Sequence, residues 1–191
     1  DFWILNNGAM IADRDGKTLF TKLIPRETAL AVLRYLQSIN DDGSGVSLTD
    51  RKVCLLSEKG TSTQKACDGG TITADQLESL DNIVKIHRRN LDLKHIKDLC
   101  KDIEERFSEV SAYANLWNGD IVARGVDKAV AVKWLKEHFP QIEKIRCIGD
   151  SVNDLGMVRA YQGAVPDVAD PEIKKEATQI VKSVAEFLEN F

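Results

Sequence analysis

The sequence predicts an α/β protein in which a core is interrupted by a smaller α+β unit. Segments with strand-like and helix-like spacing of apolar residues alternate along the 191 residues, and no internal repeat is found. A buried apolar run, 145–148, is followed by two acidic residues, Asp150 and Asp154. Open α/β sheets bind their ligands just beyond the carboxyl ends of such strands, so this run marks the place to look for a site.

The first 24 residues are predicted to form strands and a hairpin. We expect strands at 2–6 and 9–12 and a returning strand at 18–24. Asp15 and Gly16 lie between two apolar runs, and this dipeptide is among the strongest short-range hairpin signals. The polypeptide should therefore reverse direction at Gly16.

The section from 25 to 122 is predicted to be a separate α+β unit. Apolar residues at helical spacing indicate helices after Pro25 and over 93–107. Thr73 and Gln76 form a capping box for a short helix. Strands are expected at 52–57, 82–86, 110–116 and 121–123, with loops at 40–45 and 58–70 and a hairpin turn at Asn118-Gly119.

The last section, 123–191, is predicted to return to the core. A helix is expected over 128–139 and a buried strand over 144–148. Asp170 caps a helix that has Pro171 at its first position. Ser183 and Glu186 form a capping box for the final helix.

Asp150 and Asp154 follow the strand predicted at 144–148. Asp150 should lie at the strand tip and Asp154 on the next turn, and paired carboxylates suit a hard cation such as Mg²⁺. Gly149 permits a tight exit from the strand, since it has no Cβ. The alternative is an ordinary turn followed by a solvated helix start, and the motif alone leaves that open.

Lys128 is expected in the first turn of a helix, where its charge opposes the helix dipole. A lysine in that position suits an anionic ligand, because helix N-termini and ammonium groups both attract phosphate. The alternative is an ordinary surface lysine.

Together these segments resemble the C-terminal half of haloacid-dehalogenase-like (HAD) phosphatases, in the Cof-type and phosphoglycolate-phosphatase-like branch. The pattern Gly-x-x-Lys matches 125–128, and Gly-Asp-Ser-x-Asn-Asp matches 149–154. The segment 165–175 resembles the last core strand and an Asn-Ala-x-x-x-x-Lys loop, with Val168, or Asp167, at the Asn position. Residues 6–11 resemble the Asn-Gly-Ala strand that precedes the cap. The resemblance thus runs in order along nearly the whole chain.

The resemblance implies a Rossmann-like HAD core with an inserted α+β cap domain. It divides the chain into a core strand and hairpin at 1–24, the cap at 25–122 and the C-terminal part of the core at 123–191. It implies a Mg²⁺-dependent phosphomonoester hydrolase acting on a small phosphorylated sugar or organic acid. In this resemblance Asp150 would bind Mg²⁺ directly, and Asp154 would ligate it or orient its waters. Lys128 would hold the nucleophile and a phosphate oxygen. Ser151 and Asn153 would shape the site by hydrogen bonds.

The nucleophile of the family is not evident in this sequence. The family begins its chemistry from Asp-x-Asp-Gly-Thr, which precedes the Asn-Gly-Ala segment, and here that segment starts at Asn6. Asp13 and Asp15 superficially resemble the motif, as nucleophile and acid/base. The hairpin interpretation is preferred, because Asn6-Asn7-Gly8 breaks the long strand that the motif requires.

The expected sheet topology predicts that this chain is completed by further residues. Without the two strands that precede Asn-Gly-Ala, a parallel sheet would have a gap in its middle with unpaired backbone groups. We expect roughly 60–80 more N-terminal residues, the size of two strand–helix units, or a partner chain that fills the gap. Two other classes stay open: a non-catalytic module that binds phosphate or a partner, and a phosphomutase-like phosphotransferase.

Composition narrows the other functional classes. The net charge is −4, from 26 basic and 30 acidic side chains, so no basic footprint for nucleic acid is present. The four cysteines have neither disulfide-framework nor zinc-site spacing. No signal peptide or membrane-spanning segment is recognised, so a cytoplasmic location without membrane partners is expected.

Overall fold

The computed structural model describes residues 1–39, 43–57 and 67–189. The chain divides into two compact units, Asp1–Val126 and Asp127–Phe191. Strands and helices occur in both units, which agrees with the predicted α/β class. Among the described residues, no helix has the length and apolar character needed to cross a membrane.

The first unit begins with a three-stranded antiparallel sheet in the order β1-β2-β3. Its strands are β1 (Phe2–Leu5), β2 (Met10–Asp13) and β3 (Thr18–Thr21). The Asp13 carboxylate accepts hydrogen bonds from the backbone N–H groups of Asp15 (3.0 Å) and Lys17 (2.9 Å). The hairpin prediction is confirmed, and Asp13 stabilises its turn.

A six-stranded sheet forms the centre of the first unit, in the order β6-β5-β4-β7-β9-β8. Most neighbours are antiparallel, and only β5 and β6 are parallel. The strands are β4 (Ser44–Leu48), β5 (Lys52–Leu55), β6 (Thr71–Ile72), β7 (Ile83–Arg89), β8 (Val110–Asn115) and β9 (Asn118–Ala123).

Two helices, α1 (Arg26–Ser38) and α2 (Leu93–Arg106), pack on this sheet. Both bury one stripe at helical spacing, as predicted. The buried residues include Ala29, Leu30, Leu33 and Leu36 of α1 and Ile96, Leu99, Cys100 and Ile103 of α2. The Asp92 carboxylate caps α2 by accepting from the N–H groups of Lys94 and His95. The core of the unit lies between these stripes and the sheet.

The second unit contains a small parallel sheet and four helices in its described part. Strands β10 (Ala164–Pro166) and β11 (Gln179–Val181) pair in parallel. The helices are α3 (Lys128–His138), α4 (Leu155–Ala160), α5 (Pro171–Lys174) and α6 (Val184–Glu189). Asp170 accepts from the N–H of Glu172, and Ser183 accepts from the N–H of Glu186, so both predicted caps are present.

Three local predictions differ from the structure. Strand β4 contains Ser44 and Gly45, which the sequence places in a turn-rich break; residues 40–42 of that break lie outside the described residues. The hairpin turn predicted at Asn118-Gly119 lies at Leu116-Trp117, because Asn115 pairs with Asn118, and Leu116 adopts φ +50°.

The strand predicted at 144–148 pairs only through a bridge between Ile148 and Ala164. The loop expected at 58–70 falls mostly on residues 58–66, which are also not described.

Strand β4 requires glycine at position 45, because the His87 ring packs against it. A Cβ at this position would lie 1.9 Å from Cε1 of His87, so the imidazole ring rests directly on the glycine backbone. Gly45 and His87 pair directly across β4 and β7. Close approach of a ring to the backbone therefore fixes the residue type at position 45.

We predict that Gly45→Ala destabilises the first unit by about 1–3 kcal/mol, because the added methyl group overlaps the His87 ring. Denaturant unfolding measures the loss. His87→Ala in the same chain should recover part of it, since it removes the clashing ring. If the single variant unfolds at the wild-type midpoint, the packing described here is wrong.

His87 gives a second prediction, on pH. Burial lowers the pKa of the His87 imidazole to about 4, with the ammonium groups of Lys52 and Lys85 acting in the same direction and Asp120 opposing them. The unfolded chain takes up this proton near pH 6.5, before the folded chain does. Stability is therefore fully present above about pH 6.5 and declines as the pH falls toward 4.

Urea unfolding of wild type and His87→Gln between pH 7.5 and 4.5 isolates this contribution, since other groups titrate in both proteins. The wild type should lose up to about 3 kcal/mol more than the variant over this range. Parallel pH dependence of the two proteins would contradict the prediction.

Candidate functional site

The site predicted from the sequence lies within the second unit, at the N-terminal end of α3. Asp127 precedes this helix, and its carboxylate accepts a 2.7 Å hydrogen bond from the N–H of Val130. Lys128 is therefore the first residue of a capped helix, as predicted. The cap fixes the direction in which the lysine leaves the helix.

Lys128 and Asp154 form an ion pair, with Nζ 2.5 Å from Oδ1. The Asp154 carboxylate is 5% exposed and the lysine side chain is 31% exposed. The second carboxylate oxygen, Oδ2, accepts from the backbone N–H of Asp150 at 3.2 Å. Asp154 thus ties the helix start to the loop that carries Asp150.

Asp150 and Asp154 line the same cavity, and Lys128 lines it with them. The cavity has a volume of about 360 Å³, which is enough for a small ligand. Asp150 is exposed, in contrast to buried Asp154. The structure brings these three predicted site residues to one cavity, where the two acids differ in how much solvent they meet, and the roles assigned to them stay a prediction.

Gly149 allows this close arrangement. A Cβ at position 149 would lie 2.4 Å from Cβ and 2.7 Å from Cγ of Asp154. Any larger residue would push the Asp154 side chain away from Lys128 and from the Asp150 N–H. Glycine in this motif therefore makes room for a buried carboxylate beneath the loop.

Ser151 and Asn153 lie in the same loop but do not line the cavity. The Ser151 hydroxyl donates to Oδ1 of Asn153. This bond closes the turn that leads into the 3₁₀ segment Val152–Asp154, whose last residue is the buried acid. In this structure the pair shapes the loop, and a direct contact of either residue with a substrate stays a prediction.

Sequence reasoning missed the apolar part of the cavity. Its walls include Ile148, Met157, Pro166 and Val184, from four different segments. The N–H of Asp170 donates to the carbonyl of Asp150 at 3.0 Å and so holds the 167–170 loop beside the site. Apolar residues that meet only through the fold have no local signature, apart from lying near strand and helix ends.

The charges of the cavity fit a hard cation together with an anion. Mg²⁺ takes one or two protein carboxylates and completes its shell with water and substrate oxygens. Asp150 is exposed and available as a ligand, whereas both oxygens of Asp154 already accept hydrogen bonds, which suits orientation of bound water. Among the described residues, no group of three His, Cys, Asp or Glu side chains is arranged to hold a metal.

Cys147 lies beneath the site as a buried thiol. Burial raises the pKa of the Cys147 thiol to about 11, and the Asp154 carboxylate acts in the same direction. Its Sγ contacts the carbonyl of Met157 at 3.4 Å. A thiol held protonated in this way is a packing residue and a poor nucleophile.

The sequence matches the model of one protein family, described as haloacid dehalogenase-like hydrolase, over residues 1–187. The chain belongs to this family. It is therefore a member of a family of enzymes. A phosphoglycolate phosphatase of Pyrobaculum aerophilum is 31% identical over 163 residues, which cover 80% of this chain and 68% of that protein. An uncharacterized protein of Mycoplasma capricolum subsp. capricolum is 28% identical over 184 residues, 84% of this chain and 64% of that protein.

Solved structures show the same HAD fold. A HAD subclass IIB sugar phosphatase superposes with a TM-score of 0.82 at 14% identity, covering 100% of this chain and 75% of the other. A haloacid dehalogenase-like hydrolase from B. subtilis gives a TM-score of 0.76 at 18% identity, covering 94% and 73%. At these identities the match concerns the fold, and it agrees with the Rossmann-like α/β class predicted from the sequence.

We predict that Lys128→Met lowers the free energy of unfolding by about 1–3 kcal/mol, because it leaves the buried Asp154 carboxylate without its cation. Lys133→Met is the matched control: Lys133 lies on the same helix in an exposed pair with Glu137 and should change stability by less than about 0.5 kcal/mol. Equal stability of the two variants would show that the Lys128–Asp154 pair does not contribute.

Proposed function

We propose that this HAD hydrolase is a Mg²⁺-dependent phosphomonoester hydrolase for a small phosphorylated metabolite, such as a sugar phosphate or a phosphoglycolate-like acid. The observation that carries the proposal is the cavity in which Lys128 and exposed Asp150 meet around buried Asp154. The family membership and the phosphatase names of similar proteins support it.

Mg²⁺ would be held by Asp150, with Asp154 ligating it or orienting its waters. When bound, it would offset the repulsion between a phosphate and an attacking carboxylate and stabilise charge on the transferring oxygens. The carboxylate of Asp150 is the exposed acid of the pair, so it would make the direct contact.

Lys128 would supply positive charge to a phosphate oxygen. Its ammonium already lies at the cavity and at the start of α3, where the helix dipole also favours an anion. The bond to Asp154 fixes the direction of the ammonium before a ligand arrives. Such preorganised charge lowers the barrier because it needs little rearrangement as the reaction proceeds.

The attacking carboxylate would bond to phosphorus while the P–O bond to the alcohol breaks, so that the alcohol leaves and takes up a proton. Water would then hydrolyse the aspartyl-phosphate, which releases inorganic phosphate and restores the carboxylate. We propose that it comes from residues outside this chain's 191, either in the same polypeptide or in a second chain that completes the sheet. The proteins of Pyrobaculum aerophilum and Mycoplasma capricolum subsp. capricolum are longer than the matched region, since this chain covers 68% and 64% of them. Asp13 is a weak candidate, because its carboxylate caps the hairpin turn.

Specificity would come from the section predicted as a cap, residues 25–122. Because the other walls of the cavity in the second unit are apolar, a substrate would have Lys128 and the carboxylates as its charged contacts. A small substrate suits a cavity of about 360 Å³.

The test is Mg²⁺-dependent hydrolysis of p-nitrophenyl phosphate by the complete polypeptide encoded by the reading frame of this chain. We expect Asp150→Ala to reduce turnover by at least about 100-fold, because it removes the proposed metal ligand. Asp13→Ala should keep most of the activity, since it disturbs only a surface turn.

Full activity of Asp150→Ala would refute the proposed site. Loss of turnover in Asp13→Ala, with the fold preserved, would instead identify Asp13 as the nucleophile. No hydrolysis by the complete polypeptide, together with phosphate binding that depends on Lys128, would favour the non-catalytic module. Transfer of the phosphoryl group to an added sugar phosphate in preference to water would favour a phosphotransferase.

A further inference from the structure

Two further buried polar side chains, His87 and Asp120, lie in the first unit on one face of the six-stranded sheet. Gly45, His87, Asp120 and Tyr113 occupy one row across β4, β7, β9 and β8. Directly paired residues share a face of a sheet, so these four side-chain positions lie together. We call this surface the His87 face.

The helices cover the opposite face. The position of a Cβ on Gly119, the neighbour of Asp120, lies 3.1 Å from the Cys100 sulfur of α2. Arg88, the neighbour of His87, donates to the carbonyl of Leu36 in α1. Because alternate residues point to opposite faces, the His87 face is directed away from both helices.

Two lysines belong to the His87 face. Lys85 precedes His87 by two residues on β7 and therefore shares its face. Lys52 shares that face too, because Ser47 of β4 pairs with Lys85 on one side and with Lys52 on the other. Lys85 forms a 3.3 Å ion pair with Oδ1 of Asp120, whose Oδ2 accepts from Nδ2 of Asn7 at 3.1 Å. The Asp120 carboxylate is thus fully engaged, and no ion pair of Lys52 is found within the described ranges.

His87 is 7% exposed, and its Nδ1 is buried without a hydrogen-bond partner among the described residues. A buried polar atom left without a partner costs about 1–3 kcal/mol, so such atoms in folded proteins usually meet a ligand or water. The low pKa of His87 keeps the ring neutral near pH 7, with one donor nitrogen and one acceptor nitrogen. The imidazole N–H of His87 is therefore a hydrogen-bond donor for which the described residues provide no acceptor.

We propose that the His87 face binds a small carboxylate anion, held by the Lys52 ammonium and the imidazole N–H of His87. The charges that act on the His87 ring are those of Lys52, Lys85 and Asp120, which sum to one net positive charge and match a monoanion. The Asp68 carboxylate also interacts with the Lys52 ammonium but is not among the charges that act on the ring. A carboxylate has two oxygens, one for each donor. A phosphate dianion would bring a second negative charge into a buried region that already holds Asp120. This inference does not depend on the proposed hydrolysis.

The experiment follows the ring nitrogens of His87 in the ¹⁵N-labelled complete polypeptide by NMR at pH 7, during titration with sodium acetate at constant ionic strength. His87→Gln assigns the signal, and His95 and His138 are internal controls. We expect a saturable shift at His87 alone. Lys52→Met should weaken the affinity about tenfold by removing one charged contact, whereas Lys97→Met, on the exposed side of α2, should not change it.

Three results would overturn the proposal. One is the absence of a saturable shift with acetate, which would leave water as the partner of His87. Another is an unchanged affinity in Lys52→Met, a variant that keeps the imidazole and its packing. The third is a tighter response to inorganic phosphate than to acetate at His87, which would assign the face to a phosphate group.

Discussion

The carboxylate of Asp154 is the group on which the arrangement of the second unit's cavity depends. One oxygen meets the ammonium at the start of α3 and the other accepts the N–H of Asp150. A buried carboxylate is tolerated only when it is paired and hydrogen-bonded. The two contacts of Asp154 therefore hold the start of α3 and the loop that carries Asp150 together. Gly149 provides the room for it. The exposed acid, Asp150, is placed by its buried neighbour.

Much of the fold and the centre of the site were predictable because their signals are local. The hairpin at Asp15-Gly16, the stripes of α1 and α2, and the caps at Asp170 and Ser183 each depend on neighbours in sequence. The motif spacing placed Lys128, Asp150 and Asp154 correctly at one cavity. The roles assigned to those residues stay predictions, because they concern a metal and a substrate.

What could not be predicted depends on partners distant in sequence. Strand β4 begins with Ser-Gly, which resembles a turn, and it forms because Gly45 receives the ring of His87 from β7. Asn118-Gly119 has the composition of a turn, but pairing across β8 and β9 shifts the turn to Leu116-Trp117. The segment 144–148 has the composition of a buried strand, yet only Ile148 pairs in the described structure. In the first two cases a tertiary contact outweighed local preference.

The limited pairing of the second unit has a consequence for its motions. Its described backbone ladder consists of two three-residue strands and a single bridge, so side-chain packing around Val158, Val165 and Ile173 carries much of its cohesion. Regions with few ladder bonds open locally at lower free energy than a broad sheet does. We therefore expect the amide hydrogens of the loop that carries Asp150 to exchange early, and a bound ligand to slow that exchange.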